Sequence, residues 1–162
     1  SGGLPQSALV GRRELMDIYA PNTMTSTHSG SPVASAGTAA NIKFLKEHNM
    51  CQEALRKGKI MEEKLKALWK QFPERISYVR GIGMAWAVTF AEADTHAIHP
   101  EFALEVTKKC NENGLTFFAA VGAGITMKLT PPLTIPDDAL IEGLEAYATA
   151  VAEADAIMPA YK

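Results

Sequence analysis

The sequence predicts an α+β fold, in which a small and mostly antiparallel sheet carries helices on one side. The main observation is the periodicity from residue 50 onward, which indicates helix, strand, strand, helix, strand, strand, helix in that order. Glycines and prolines separate these segments. The chain has 162 residues, of which 47% are hydrophobic, and this suits one domain or one domain with a piece of another.

The first 50 residues do not fit into that unit and predict a separate region. Residues 7–10 are short and apolar, which indicates a buried strand, and residues 12–17 indicate a helical turn. Residues 20–32 are rich in Pro, Asn, Thr, Ser and Gly, so they predict a loop, and loops of this length are often functional. Residues 33–49 are rich in alanine at first and predict a helix that can pack closely against another surface.

The unit that follows begins with an amphipathic helix over residues 51–72. Its apolar stripe recurs at i, i+4, i+7 and i+11 and consists of Met61, Leu65, Leu68 and Phe72. Pro73 ends this helix. Residues 76–80 and 84–90 then predict two strands around a short glycine turn.

A third helix, two further strands and a fourth helix complete the prediction. The third helix begins at Pro100 and ends at Gly114, which suits a left-handed C-cap. Residues 115–119 and 125–129 predict two strands joined by a turn at residues 122–124.

The last helix has a start signal of its own. Thr134 is the expected cap, Pro136 stands near the first helical position, and Asp137 follows three residues after the cap. The predicted buried face consists of Leu140, Leu144, Tyr147 and Val151.

Composition and charge exclude several classes of function. The net charge is −2, so no basic excess is present to neutralise phosphates, and we expect no nucleic-acid partner. No apolar run reaches the length of a membrane span, and no signal peptide is visible. The two cysteines, Cys51 and Cys110, are far apart and form no metal or disulfide pattern, which favours a cytoplasmic location.

Four short motifs occur in order along the chain. The first two are Gly3-Leu4-Pro5 with residues 7–12 behind it, and Ser26-Thr27-His28-Ser29-Gly30-Ser31-Pro32 ahead of the alanine-rich helix. The last two are Val79-Arg80-Gly81-Ile82-Gly83-Met84 and Met127-Lys128-Leu129-Thr130-Pro131-Pro132-Leu133. In this order and with these gaps, the chain resembles the class III (4-aminobutyrate/ornithine type) pyridoxal-phosphate-dependent aminotransferases over nearly its whole length.

That resemblance implies an α/β architecture, namely the C-terminal part of a fold type I transferase. Residues 1–32 would be the end of the large cofactor-binding domain and its phosphate loop, residues 33–49 a connecting helix, and residues 50–162 the small C-terminal domain. It also implies the cofactor pyridoxal 5'-phosphate, a homodimer with active sites shared between subunits, and an amine and a 2-oxo acid as substrates.

The resemblance also assigns roles to particular residues. The catalytic lysine would lie just upstream of Ser1, so we expect this chain alone to contain no catalytic residue and to be inactive. Thr27, helped by Ser26, would bind the cofactor phosphate of the opposite subunit. Lys128 stands where many relatives carry an arginine that holds the substrate α-carboxylate, and lysine keeps the charge but lacks the bidentate fork.

Other interpretations remain open. The hydroxyl residues of the loop could be ordinary turn residues, and Lys128 could be a surface lysine. Arg80 would be structural and would tie the small domain together by hydrogen bonds. His96 and His99 beside Asp94 lack a third ligand, so we expect no metal site. The alternative functions are a non-catalytic α+β interaction module, or a pyridoxal-phosphate mutase or decarboxylase on the same scaffold.

Overall fold

The chain folds into two compact units, and the boundary between them falls between Asn49 and Met50. A computed structural model describes residues 4–20, 23–24, 26–92, 97–118 and 125–159. Within them, the first unit contains α1 (Arg13–Met16) and α2 (Pro32–Glu47). The elements of the second unit are α3 (Met50–Gln71), β1 (Ile76–Ile82), β2 (Ala85–Phe90), α4 (Pro100–Glu112), β3 (Thr126–Leu129) and α5 (Asp137–Ile157).

The second unit is built on an antiparallel sheet with the strand order β1-β2-β3. The first two strands form a hairpin that closes at the Ile82–Ala85 pair, and Gly83 in its turn has a φ of 54°. A left-handed backbone of this kind favours glycine. These pairings confirm the predicted antiparallel sheet.

One face of the sheet and the helices α3, α4 and α5 enclose a single hydrophobic core. Alternate strand residues point into this core, and their largest members include Trp86, Phe90 and Met127. Phe90 meets Phe102 of α4 edge to face, with ring centroids 5.2 Å apart. The predicted apolar stripes of α3 and α5 face this core. Leu65 of α3 and Tyr147 of α5, for example, are almost fully buried.

Close backbone packing joins α3 to the hairpin. A Cβ atom added to Gly58 would lie 2.6 Å from the Cα of Gly83 and 2.5 Å from its carbonyl oxygen. No larger residue fits at position 58 without a shift of the helix or the turn, so this glycine fixes the distance between α3 and the sheet.

A buried arginine anchors the end of α5. Arg75 precedes β1, and its side chain is 6% exposed. Its guanidinium donates to Asp155 Oδ1 at 2.7 Å and to the carbonyls of Met158 and Pro159 at 2.9 and 3.0 Å. It also lies over the ring of Phe102, 4.7 Å from the centroid. The carbonyl groups at the C-terminus of a helix lack hydrogen-bond donors within the helix. Here the Arg75 guanidinium donates to the carbonyls that follow α5, and its positive charge suits the negative end of the helix dipole.

Three sequence predictions about local structure are wrong. Residues 7–10 are not a buried strand, since Leu9 and Val10 are 84% and 89% exposed. Residues 115–118 are not a strand either: Leu115 and Phe117 alternate inward onto the core, which explains the misleading pattern, but they pair with no strand in the described chain. Residue 119 and the predicted turn at 122–124 lie outside the described residues.

The third error concerns the start of α5. Pro136, not Thr134, is the N-cap, and the first helical bond runs from Leu140 N–H to the Pro136 carbonyl. The carbonyls of Leu133 and Ile135 instead accept from Lys57 Nζ, so the chain remains a loop up to Pro136.

Candidate functional site

The turn before α2 presents several hydroxyl groups in a small space. Ser29 N–H donates to the Ser26 carbonyl at 3.1 Å, and Ser26 N–H donates to Ser29 Oγ at 3.3 Å. The two serine hydroxyls are 2.8 Å apart. If Ser29 donates in that pair, the hydroxyl hydrogen of Ser26 is available to a ligand.

Thr27 lies within the same turn and is exposed. Among the described residues, its hydroxyl has no hydrogen-bond partner. Gly30, with a φ of 70°, reverses the chain so that it can enter α2. The structure therefore places the two predicted cofactor-binding residues, Ser26 and Thr27, side by side in one exposed turn.

The helix that follows adds a favourable electrostatic field. Ser31 is the N-cap of α2 and Pro32 the first helical residue, and no side chain caps the helix by a hydrogen bond. The positive end of a helix of 16 residues, with hydroxyl donors directly before it, has the chemistry of a phosphate site. The residues present thus fit the phosphate group that the family resemblance implies there.

Lys128 lies in the second unit, on the sheet face opposite the helices. Its neighbours in β3, Met127 and Leu129, point into the core, while Lys128 is exposed. It pairs with Ala87 of β2, a small residue of intermediate exposure. Lys128 is therefore an exposed cation on the outer face of the sheet.

Two basic residues of α3 hold the loop that follows β3, and no local sequence pattern marks either of them. Lys57 is buried and donates to the carbonyls of Leu133 at 3.1 Å and Ile135 at 2.5 Å. Arg56 binds both carboxylate oxygens of Asp137, at 2.7 and 2.8 Å. This hydrogen bonding lowers the pKa of Asp137 below its usual range. The second half of the loop, from Leu133 to Asp137, is consequently held against α3.

The hydrogen-bonding role expected of Arg80 belongs to another arginine. Arg80 is exposed, and the contact observed for it is with the Tyr78 ring, 5.4 Å from the guanidinium carbon. Arg75 makes the buried bonds that tie the unit together. No local pattern marks Arg75, because its partners lie 80 or more residues further along the chain.

The structure offers no support for a metal site in the part of the chain that it describes. His99 approaches Glu92 and Glu101 at 3.4 and 3.3 Å. No group of three potential ligands occurs among the described residues, and His96 and Asp94 lie outside them. Across the same residues, no helix has both the length and the apolar composition needed to cross a bilayer.

Comparison with known proteins extends these observations. The chain is 31% identical to 5-aminovalerate aminotransferase DavT of Pseudomonas putida over 144 residues, which are 89% of this chain and 34% of that protein. It is 33% identical to a leucine/methionine racemase of Thermococcus litoralis over 155 residues, 95% of this chain and 34% of the relative. The chain therefore spans about a third of the length of these relatives.

Solved structures show the same fold. The structure superimposes on acetylornithine aminotransferase from Elizabethkingia anophelis with a TM-score of 0.71 and 24% identity, over 85% of this chain and 33% of that one. This agrees with the expected C-terminal part of a fold type I enzyme. The family model described as "Aminotransferase class-III" matches residues 1–151, and the chain thus belongs to the class III aminotransferase family.

Proposed function

We propose that the chain is the C-terminal portion of a pyridoxal-phosphate-dependent aminotransferase that moves an amino group from an amine or amino acid to a 2-oxo acid. The observation that carries the proposal is the family match over residues 1–151. The exposed hydroxyl turn before α2 and the exposed Lys128 support it, because an anionic cofactor and a carboxylate substrate need donors of these kinds.

The proposed cofactor role falls on the turn before α2. Enzymes of this family use pyridoxal phosphate, which when bound acts as an electron sink for the substrate carbon that loses its proton. Thr27 and Ser26 donate hydroxyl hydrogens to the phosphate, and the positive end of α2 adds to the attraction. In a homodimer that shares its active sites, this turn serves the cofactor of the opposite subunit.

The proposed substrate role falls on Lys128, which attracts the carboxylate of the amino donor or of the 2-oxo acid. A lysine ammonium binds as a point charge and does not impose the planar, two-bond geometry that a guanidinium would. Orientation of the carboxylate therefore depends on further donors around it. We expect the lysine that binds the cofactor covalently to lie ahead of the Gly3-Leu4-Pro5 motif, outside this sequence.

Reductive trapping tests the proposal. The 162-residue chain is incubated with pyridoxal phosphate, reduced with borohydride and mapped by peptide mass spectrometry. We expect no stoichiometric adduct at a unique lysine, whereas the gene product that includes the upstream coding sequence should give one, at a lysine ahead of Ser1. A unique stoichiometric adduct within this chain would contradict the assignment.

A matched pair of variants in that longer protein tests the phosphate turn. Thr27→Val should weaken cofactor binding about tenfold, the loss expected for a hydrogen bond to a charged group. Thr23→Val removes the same hydroxyl from a residue whose Oγ1 donates to the Ala20 carbonyl at 2.6 Å, and it should change the affinity less than about twofold. Equal effects of the two variants would argue against a phosphate role for Thr27.

A different reaction on the same scaffold is the second candidate, and the similarity to a racemase favours keeping it. Incubation of the longer protein with an L-amino acid, with and without a 2-oxo acid, separates the two. Amino transfer requires the 2-oxo acid for turnover, whereas racemisation, decarboxylation or an intramolecular shift of the amino group proceeds without it. If no upstream lysine exists and no such turnover occurs, the non-catalytic interaction module is the better explanation.

A further inference from the structure

Two cations share one row on the open face of the sheet. Arg80 of β1 pairs with Ala87 of β2, and Ala87 pairs in turn with Lys128 of β3. Directly paired residues of an antiparallel sheet point to the same face. Adjacent strands are about 4.8 Å apart, so the two cations flank Ala87 with their Cα atoms about 10 Å from each other.

In the part of the chain that the structure describes, neither charge has a counter-ion. The strands β1, β2 and β3 contain these two cations and no Asp or Glu. Several other cations of this unit do have carboxylate partners, as Lys64 has in Glu145 and Lys109 in Glu112. Within the described residues, neither Arg80 nor Lys128 lies within 4 Å of a carboxylate.

The next row of the same face is neutral. Tyr78 pairs with Thr89, and Thr89 pairs with Thr126, whose hydroxyl lies 3.1 Å from that of Thr89. The positive charge is thus confined to one row, which suits a single small anionic group and does not suit a polyanion that needs a long basic stripe.

We propose that Arg80 and Lys128 bind one carboxylate between them, above Ala87, and that Arg80 supplies the two-bond geometry that Lys128 cannot. Both side chains are long enough to reach the middle of a gap of about 10 Å. The small side chain of Ala87 leaves room for the ligand. A guanidinium binds a carboxylate through two parallel N–H···O bonds, and the lysine ammonium then binds the remaining lone pairs.

The substrate class follows from this pairing. The identification of the ligand as the carboxylate of an amino or 2-oxo acid rests on the proposed function, whereas the two-cation site itself rests on the strand register. Arg80 is accordingly a specificity-determining residue. It should favour substrates with a free carboxylate next to the reacting carbon over simple amines.

NMR titration of the 162-residue chain tests the site without cofactor or turnover. Pyruvate, inorganic phosphate and the uncharged methyl ester of pyruvate are added in turn at constant ionic strength, and the backbone amides of the three strands are followed. We expect saturable shifts centred on Ala87 with pyruvate, weaker shifts with phosphate, and none with the ester. The variants are Arg80→Gln, Lys128→Gln, Lys128→Arg and the control Lys70→Gln, which removes an exposed cation from α3.

Each glutamine variant on the sheet should weaken pyruvate binding about tenfold, and the double variant should abolish it. Lys128→Arg should retain pyruvate binding, and Lys70→Gln should change the affinity for pyruvate less than about twofold. If Arg80→Gln binds as well as the parent while Lys128→Gln does not, the shared site is overturned and the proposed function stands.

If pyruvate shifts no amide of the strands, both the shared site and the substrate role of Lys128 fail, and the phosphate turn is unaffected by that result. If Lys70→Gln weakens binding as much as the sheet variants do, general charge attraction accounts for the shifts and the site is overturned. The amide spectrum of each variant checks its fold, because an exposed Arg or Lys can be replaced without loss of core contacts.

Discussion

The two units of the chain bury their apolar side chains to very different extents. In the first unit, eleven large hydrophobic side chains are exposed, among them Leu9, Val10 and Val33, and Ala34 is the one buried apolar residue that the structure describes. In the second unit, more than twenty hydrophobic residues form a continuous core. A region with so much exposed apolar surface is typical of one that packs on another surface.

This difference assigns stability and recognition to separate parts of the sequence. The second unit has the core, the paired strands and the anchored helix ends that independent folding requires. The first unit carries the hydroxyl turn, whose residues make bonds only within the turn in the described structure. Substitutions should therefore change unfolding strongly in the second unit and weakly in the first.

Removal of an aromatic ring from each unit should give the largest contrast. Phe102→Ala empties a fully buried site that contacts Phe90 and Arg75, and it should lower the free energy of unfolding by about 4 kcal/mol. Phe44→Ala in α2 removes a ring that is 40% exposed, and it should cost less than about 1 kcal/mol. Urea unfolding followed by circular dichroism measures both changes. Equal decreases in the free energy of unfolding would show that the two units do not differ in how much their side chains contribute to stability.

The arginine anchor should give the next largest effect. Arg75→Met leaves the carbonyls of Met158 and Pro159 without their donor and Asp155 without its cation, at a cost of about 3 kcal/mol. Arg80→Gln removes an exposed guanidinium and should change stability by less than about 0.5 kcal/mol. Hydrogen exchange should locate the loss in Arg75→Met at the last turn of α5. Uniform loss across the unit would mean that the anchor acts on the whole core.

Two helical glycines offer a smaller and sharper test of packing in the second unit. Gly58→Ala forces a Cβ to within 2.6 Å of the Gly83 backbone, and it should destabilise by about 2 kcal/mol. Gly143→Ala in α5 has its nearest neighbour at 3.7 Å, so the gain in helix propensity should stabilise by about 0.5 kcal/mol. Thermal unfolding of the two variants should therefore shift in opposite directions. A stabilising Gly58→Ala would show that α3 can move away from the hairpin.

The sequence predicted the elements whose signals are local. The stripe of α3, the opening of α4 at Pro100 and its left-handed Gly114, with a φ of 81°, are confirmed by the structure. These features depend on residues within one or two turns of each other. The false strand at residues 115–118 shows the limit, since alternation records which side chains face a core and not whether a second strand is present.

The contacts that no local pattern predicts are those between distant parts of the chain. Lys57 reaches carbonyls 76 and 78 residues away, and the hydrogen-bond partners of Arg75 lie 80 to 84 residues away. In the sequence both are simply charged residues on or near a helix. The roles of Ser26, Thr27 and Lys128 came from family motifs, and they stay predictions, although the turn geometry and the strand register are compatible with them.

The smallest expected effect concerns the two cysteines, one at the surface of the second unit and the other in its core. Cys51 is exposed near the start of α3, whereas Cys110 is buried, and burial raises the pKa of the Cys110 thiol from its ordinary value of 9.0 to about 12. A thiol reagent at pH 8 should therefore label one cysteine per folded chain and the second only after unfolding. Between pH 9 and pH 12 the unfolded chain releases the Cys110 proton and the folded chain retains it, so stability falls as the pH rises. Cys110→Ala should flatten part of that decline, because the folded chain keeps this buried thiol protonated over a pH range in which the unfolded chain does not. Rapid labelling of Cys110 at pH 8 would mean that α4 opens readily and that the core of the second unit is less closed than its packing indicates.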